Sequence, residues 1–419
     1  MSAETIRARK KFTFGLLPQI VVAIVLGVLL GTVLPDWATR IFVTFNGLFG
    51  QFLGFAIPLI ILGLIAPAIA DLGRGAGKWL AITGGIAYLS TLIAGFMGYG
   101  ASMLVLPRVL PADGAQSLTN PDEALLTPYF ELPIPPLFGV TTAVVLAFVV
   151  GIALTVVEGG ALLRGFRELR DLVNWVIAKV IIPLLPIYIF GIFLNMTQGG
   201  QVATVIVTFL GVVVFVFILT WIMLVLQFVV AGAFVGKNPF RMLGNMLPAY
   251  ATALGTSSSA ATIPVTLRST LKNGVSQPVA AFAVPLCATI HLAGSMIKIT
   301  CFSIAVMMLS GAAIEPGLMI AFIFMLGIMM VAAPGVPGGA IMTAVGLLTS
   351  MLGFTEAQVG LMIATYIAID SFGTATNVTG DGAIAAIVDK LVRSSKGQEQ
   401  LADEATARAD VEASDALAS

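Results

Sequence analysis

Charge is what this sequence has least of. Only 10% of its 419 residues are charged while 58% are hydrophobic, at a mean hydropathy of +1.03. A soluble domain carries about 25% charged residues because water must wet its surface, so that class is excluded and the surface faces lipid. Lys and Arg number 21 and so do Asp and Glu, a balance that offers nucleic acid no basic face and gives no sign of a strongly charged partner. Cysteine is almost absent. Cys287 and Cys301 lie in one apolar stretch and read as small buried hydrophobes, with no disulfide framework or metal cluster to build. No glycine-rich nucleotide loop occurs, which excludes a primary pump. A short cleavable leader is not expected either. Arg7, Arg9, Lys10 and Lys11 precede an apolar run that continues to about Leu34 with no small-residue cleavage site, so it reads as a first spanning helix.

What the chain has in abundance is long apolar runs, at about 12–34, 41–71, 78–107, 133–157, 171–197, 202–235, 278–309 and 357–392. Each exceeds the roughly 20 residues that a helix needs to cross the hydrocarbon core. Two further stretches are interrupted: 240–272 by Thr256-Ser257-Ser258-Ser259 and by Pro264, and 313–353 by Pro334-Gly335-Val336-Pro337-Gly338-Gly339. Irregular backbone at membrane depth is tolerated only where protein or a water-filled cavity surrounds it.

Flanking charge orders these pieces, because cytoplasmic loops are enriched in Lys and Arg. The N-terminal segment, Arg74 with Lys78, Arg164 with Arg167 and Arg170, and Lys237 with Arg241 are basic. The loop 108–132 instead carries Asp113, Asp122, Glu123 and Glu131 against Arg108. Alternation puts 236–241 inside, and Arg268 with Lys272 puts both ends of 240–272 on that side. Glu315 and Glu356, with no neighbouring Lys or Arg, put both ends of 313–353 outside. Lys390, Arg393 and Lys396 return inside, ahead of a charged, Ala-rich tail over 397–419 that reads as disordered or weakly helical. The expectation is an all-α membrane protein of eight transmembrane helices and two oppositely oriented re-entrant helical hairpins, both termini cytoplasmic.

Three clusters carry the chemistry. The last run holds Asp370, Thr374, Asn377 and Asp381, with Asp370, Asn377 and Asp381 along one helix face. An intramembrane charge costs about 2.5–3.5 kcal/mol on insertion scales and is functional by default, although one Asp could instead pair with a lysine or cap a helix. The seventh run holds His291, Gly294, Ser295 and Lys298, with His291 and Lys298 seven apart on an expected common face. His291, the only histidine, reads equally as packing or function, whereas Lys298 needs a carboxylate partner. The two tips, Thr256–Thr262 and Pro334–Ala340, present backbone N–H and C=O groups suited to a carboxylate and a small cation; tight packing of small residues is the alternative.

These residues resemble the dicarboxylate/amino acid:cation symporter family, the glutamate-transporter homologues, over nearly the whole chain and most from Arg241 to Lys390. Ser257-Ser258-Ser259-Ala260-Ala261-Thr262-Ile263-Pro264 is similar to the family's first hairpin tip. Val336-Pro337-Gly338-Gly339 resembles its second, one residue short, and Asn377-Val378-Thr379-Gly380-Asp381 resembles its last-helix motif. The resemblance implies an elevator-type fold and a homotrimer. Residues 1–77 and 108–201 would form the scaffold, 78–107 and 202–392 the moving transport domain, and 393–419 a cytoplasmic tail. Asp370 would hold the substrate's amino group and Asn377 its carboxylate, helped by Thr374, Ser257, Ser258, the backbone at Ser259, Ser295 and the second tip at Val336, Pro337 and Gly338. Thr289, His291, Asn377 and Asp381 would form the sodium set, with His291 and Lys298 as further coupling candidates.

Three departures from the family pattern refine this. Acidic-substrate members carry arginine where Gly373 stands, so glycine implies an uncharged substrate side chain and leaves space for it. The family's Asn-Met-Asp-Gly-Thr reads His291-Leu292-Ala293-Gly294-Ser295 here, which removes sodium ligands, and alanine at this place also occurs in the family's serine/threonine carriers. The resulting expectation is sodium-coupled symport or exchange of serine, threonine or alanine across the plasma (cell inner) membrane. It would use fewer sodium ions, with a proton as the alternative ion. Two alternatives stand beside it: an acidic amino acid or dicarboxylate carrier, and, in another class, an intramembrane serine hydrolase using a serine near Ser258 with His291.

Overall fold

The computed structural model describes residues 16–73, 78–110, 126–157, 160–200, 202–334 and 337–394, and all regular structure among them is helical. The basic N-terminal segment, Arg74, most of the acidic loop 108–132, Val336 and the tail 397–419 lie outside the described residues.

The helices are α1 (Leu16–Gly31), α2 (Asp36–Gly73), α3 (Lys78–Val109), α4 (Val140–Val156), α5 (Gly160–Val176), α6 (Ile182–Gln198), α7 (Val202–Val235), α8 (Pro239–Thr256), α9 (Ser259–Lys272), α10 (Gln277–Ile290), α11 (Ala293–Leu309), α12 (Pro316–Val331), α13 (Gly339–Ser350), α14 (Glu356–Ala368) and α15 (Asp370–Ser394). A π-turn, Ile177–Ile181, joins α5 to α6. Among the described residues, Asp36–Pro67, Lys78–Val109, Gly160–Gln198, Phe209–Val235 and Gln277–Leu309 are each long and apolar enough to cross a membrane. The α14–α15 pair, bent by 60°, makes a sixth when taken as one span. Val21, Leu29, Val149, Ile152, Leu210 and Val230 point outward from their helices, as side chains solvated by hydrocarbon would.

Packing divides by partner. Helix α2 packs along α4, α5 and α6, and α1 lies along α6. Helix α15 packs against α7, α8, α9, α10 and α11, while α3 lies along α11 and α12. The pairs α8–α9 and α12–α13 each fold back on themselves at a short tip. At the first tip Ser257 takes a left-handed conformation (φ 49°) that ends α8, and the Ser258 side chain caps α9 by accepting from the Ala261 amide at 3.3 Å. At the second, Gly338 (φ 76°) starts α13 from a backbone conformation that disfavours any Cβ.

Four sequence expectations need correction. The run 278–309 is two helices, broken at His291 and Leu292, so His291 and Lys298 do not share a helix face. The run 357–392 is also two, and Asp370 opens the second instead of lying within a continuous helix. The run 171–197 begins earlier, at Gly160, which places Arg164, Arg167 and Arg170 on an amphipathic helix that buries Leu163 and Val173. Pro264 sits inside α9 without ending it.

Candidate functional site

The breaks bring the polar residues together. The amide of Leu292 goes to Thr91 Oγ1 (3.3 Å), and that of Gly294 goes to Asn377 Oδ1 (2.8 Å). Side chains of α3 and α15 therefore hold the break between α10 and α11 open. The last carbonyls of α10, including that of Thr289, are left without the partners a continuing helix would supply. Close approach of α11 to α15 is possible because Gly294 faces Gly373: a Cβ on Gly294 would stand 2.5 Å from the Gly373 carbonyl oxygen.

Lys298 and Asp370 form the centre. Lys298 Nζ lies 3.0 Å from Asp370 Oδ1, and both side chains are buried. The same ammonium sits 3.6 Å above the centre of the Tyr366 ring, a cation–π contact that is stronger where water is excluded. Asp370 Oδ2 accepts the amide of Gly338 at the second tip, at 2.8 Å. Both carboxylate oxygens are thus engaged, at the N-terminus of α13 and in the first turn of α15, where helix dipoles also favour negative charge. Beside this pair Ser295 Oγ accepts from the Tyr366 hydroxyl (2.8 Å) and from Asn377 Nδ2 (3.3 Å).

Gly373 is not the open space the sequence implied. A Cβ there would stand 2.3 Å from Lys298 Cε and 2.5 Å from Nζ, so the lysine occupies the room that glycine leaves.

A second cluster lies further along α15. Asp381 Oδ1 accepts from His291 Nδ1 at 2.9 Å. His291 Nε2 faces Ser90 Oγ and Gln227 Nε2, each at 3.1 Å, and these donors leave the ring proton on Nδ1. Asp381 Oδ2, Gln227 Oε1 and Thr379 Oγ1 are buried without hydrogen-bond partners. An orphaned carboxylate oxygen is a donor that a small hard cation would satisfy, and the freed α10 carbonyls are donors of the same kind. His291 already bonds the other Asp381 oxygen, which limits the anionic oxygens available to an ion.

Of the residues anticipated from sequence, Ser295, Gly338, Asp370, Asn377 and Lys298 meet in one bonded cluster, and His291 with Asp381 in another. Thr374 is buried one turn beyond Asp370, and Pro337 is half-buried at the second tip. Ser257, Ser258 and Ser259 form the first tip, but no hydrogen bond of Asp370 or Asn377 reaches it. The Thr289 side chain is exposed and donates to the Leu286 carbonyl (2.7 Å). Sequence reading missed Tyr366, Ser90, Thr91 and Gln227. A glutamine within the apolar α7 was a usable signal, because a polar group there needs a partner. Ser90, His291 and Asp381 line up in the order of a nucleophilic triad, but Gln227 Nε2 also donates to Ser90 Oγ (2.9 Å).

Apolar helices with lipid-type faces, arranged around broken helix ends that carry buried charge, define a membrane transport protein. The sequence model of the Sodium:dicarboxylate symporter family matches residues 16–391, and the chain belongs to that family. It is similar to Neutral amino acid transporter A of Homo sapiens, at 29% identity over 272 residues, 62% of this chain and 50% of that protein. Excitatory amino acid transporter 1 of Rattus norvegicus is 32% identical over 244 residues, 56% of this chain and 44% of that protein. Excitatory amino acid transporter 2 of Homo sapiens is 31% identical over 159 residues, 38% of this chain and 28% of that protein. The matches span half or less of these relatives' own lengths. The relatives are transporters and not enzymes, so the hydrolase reading falls.

Proposed function

We propose that the chain is a secondary active transporter that carries a small amino acid with an uncharged side chain, such as serine, threonine or alanine, together with a cation. The observation that carries this is the Lys298–Asp370 pair, whose charges cancel within the buried site. A zwitterion with a neutral side chain adds no net charge to such a site, whereas an extra carboxylate would need a cation of its own. The substrate's ammonium would share or take over Asp370, and its carboxylate would meet Asn377. The Ser295 and Thr374 hydroxyls suit a small polar side chain.

Sodium is the expected coupling ion. Asp381 would hold it through Oδ2, with carbonyls from the end of α10, Thr289 among them. Because Lys298 supplies a tethered positive charge and Ala293 offers no carboxylate, fewer sodium ions would be needed than in acidic-substrate relatives. The proton, through His291 and Asp381, is the alternative. The packing division favours an elevator, in which α3 and α7–α15 move as one body against α1, α2 and α4–α6. On this reading eight spans and two re-entrant hairpins, α8–α9 and α12–α13, sit in a homotrimer in the plasma membrane with both termini cytoplasmic.

A second reading has its own observation. The Lys298 ammonium lies beside Gly373, where acidic-substrate relatives carry arginine, and could receive an acidic side chain once released from Asp370. Competition of unlabelled amino acids against labelled serine uptake in proteoliposomes separates the two. Serine, threonine and alanine compete on the first reading. Stronger competition by aspartate than by any neutral amino acid would contradict it.

A further inference from the structure

On the transport reading above, Asp370 belongs to the cargo's ammonium, yet here a side chain of the protein itself occupies that place. We propose that Lys298 is a tethered stand-in for the cargo ammonium, one that lets the second tip close over an empty site and so lets the carrier recross the membrane without cargo.

Asp370 is the joint. One of its oxygens holds Lys298 Nζ (3.0 Å) and the other holds the Gly338 amide of the tip (2.8 Å). A carboxylate with no cation beside it is too costly to keep dry, so without Lys298 the tip would have to open and admit water. Lys298 reaches Asp370 from α11, which packs directly against α15, so both partners of the pair belong to the chain itself. Two features hold the lysine in this pose. Gly373 leaves room for its Cε and Nζ against α15, as a Cβ there would meet both. The Tyr366 ring lies under the ammonium at 3.6 Å, and its hydroxyl is fixed by Ser295 at 2.8 Å. When a cargo ammonium competes for Asp370, the ring can keep hold of the lysine. Binding is then a swap of one ammonium for another. Net uptake follows, because the empty form can close and return, and exit of a second cargo molecule is not required.

The test uses the full chain in proteoliposomes with a reporter at the second tip, Ala340→Cys, and a membrane-impermeant maleimide. Cys287 and Cys301 are buried and give a low background. In sodium-free, substrate-free buffer the reporter should label slowly. Adding Lys298→Ala should raise the labelling rate at least about tenfold, as expected if a stranded buried carboxylate opens the tip. Methylammonium, a free ammonium of the same chemistry, should restore protection in Lys298→Ala, which a purely structural role would not produce. Gly373→Ala, which evicts the lysine without removing a charge, should also expose the reporter and guards against misfolding of the first variant. Labelled serine uptake into liposomes without internal serine should fall at least tenfold in Lys298→Ala while exchange against internal serine persists, the same population argument read as flux. Equal labelling in parent, Lys298→Ala and Gly373→Ala, or an unchanged ratio of net uptake to exchange, overturns the proposal. The labelling arm needs no substrate, so absence of amino acid transport would count against the transporter reading and leave the closure itself decided by the reporter.

Discussion

Asp370 has its negative charge stabilised from three directions: the Lys298 ammonium, the Gly338 amide at the start of α13 and the start of its own helix. Removing that charge alone strands Lys298 in a dry site, and breaking a buried pair costs about 3–5 kcal/mol. Asp370→Asn is therefore expected to lower thermal stability in detergent and to weaken serine binding at least about a hundredfold. Asp370→Asn with Lys298→Met removes both charges. It should recover most of the stability, since replacing a whole buried pair is often near neutral, but none of the binding. Serine binding retained by the double variant would remove Asp370 from the substrate site. At Gly373 the close approach of Lys298 makes a second expectation. Gly373→Arg alone should be poorly stable, because it forces a second buried cation beside Lys298, whereas Gly373→Arg with Lys298→Ala should fold and shift competition toward aspartate. Equal stability of the two, measured by thermal unfolding, would mean that Lys298 does not fill this space.

The helices owe their boundaries to two kinds of signal, and only one is local. At the first tip Ser257 adopts φ 49° and the Ser258 side chain caps α9, so both ends can be read from a run of serines between apolar segments. Ser258→Ala should cost about 1 kcal/mol as a lost cap, while Ser257→Gly should cost less than that because glycine accepts the left-handed conformation freely. Thermal melts of the two variants check the order, and a larger loss for Ser257→Gly would contradict it. The second tip was legible for the same reason, through its prolines and glycines. The breaks at His291-Leu292 and at Ile369 were not. No proline or glycine sits at either junction itself; at the first, the amides of Leu292 and Gly294 are captured by Thr91 and Asn377, 201 and 83 residues away in sequence. Residue chemistry was legible in the same uneven way. That Lys298 needs a carboxylate followed from its cost in the membrane, but which carboxylate depended on the α11–α15 crossing. Nothing in the sequence singled out Tyr366, because its hydroxyl's partner, Ser295, lies 71 residues away.

The whole molecule joins two buried clusters on one helix, a pair of helical tips and a division of packing between two groups of helices. Coupling belongs to this scale. Asp381 offers one unpartnered oxygen and His291 takes the other, so few ions can bind there. Uptake should rise with sodium at a Hill coefficient well below three, and Asp381→Asn should abolish the sodium dependence. A coefficient near three would contradict the reduced coupling, and full activity in sodium-free buffer would favour the proton. The most direct test of the central claim is uptake by the purified chain in liposomes, from a panel of radiolabelled amino acids with and without an inward sodium gradient. The account predicts saturable accumulation of serine, threonine or alanine above its equilibrium level, lost when the gradient is removed. Flux that stays linear with concentration and never exceeds equilibrium for any amino acid would contradict it.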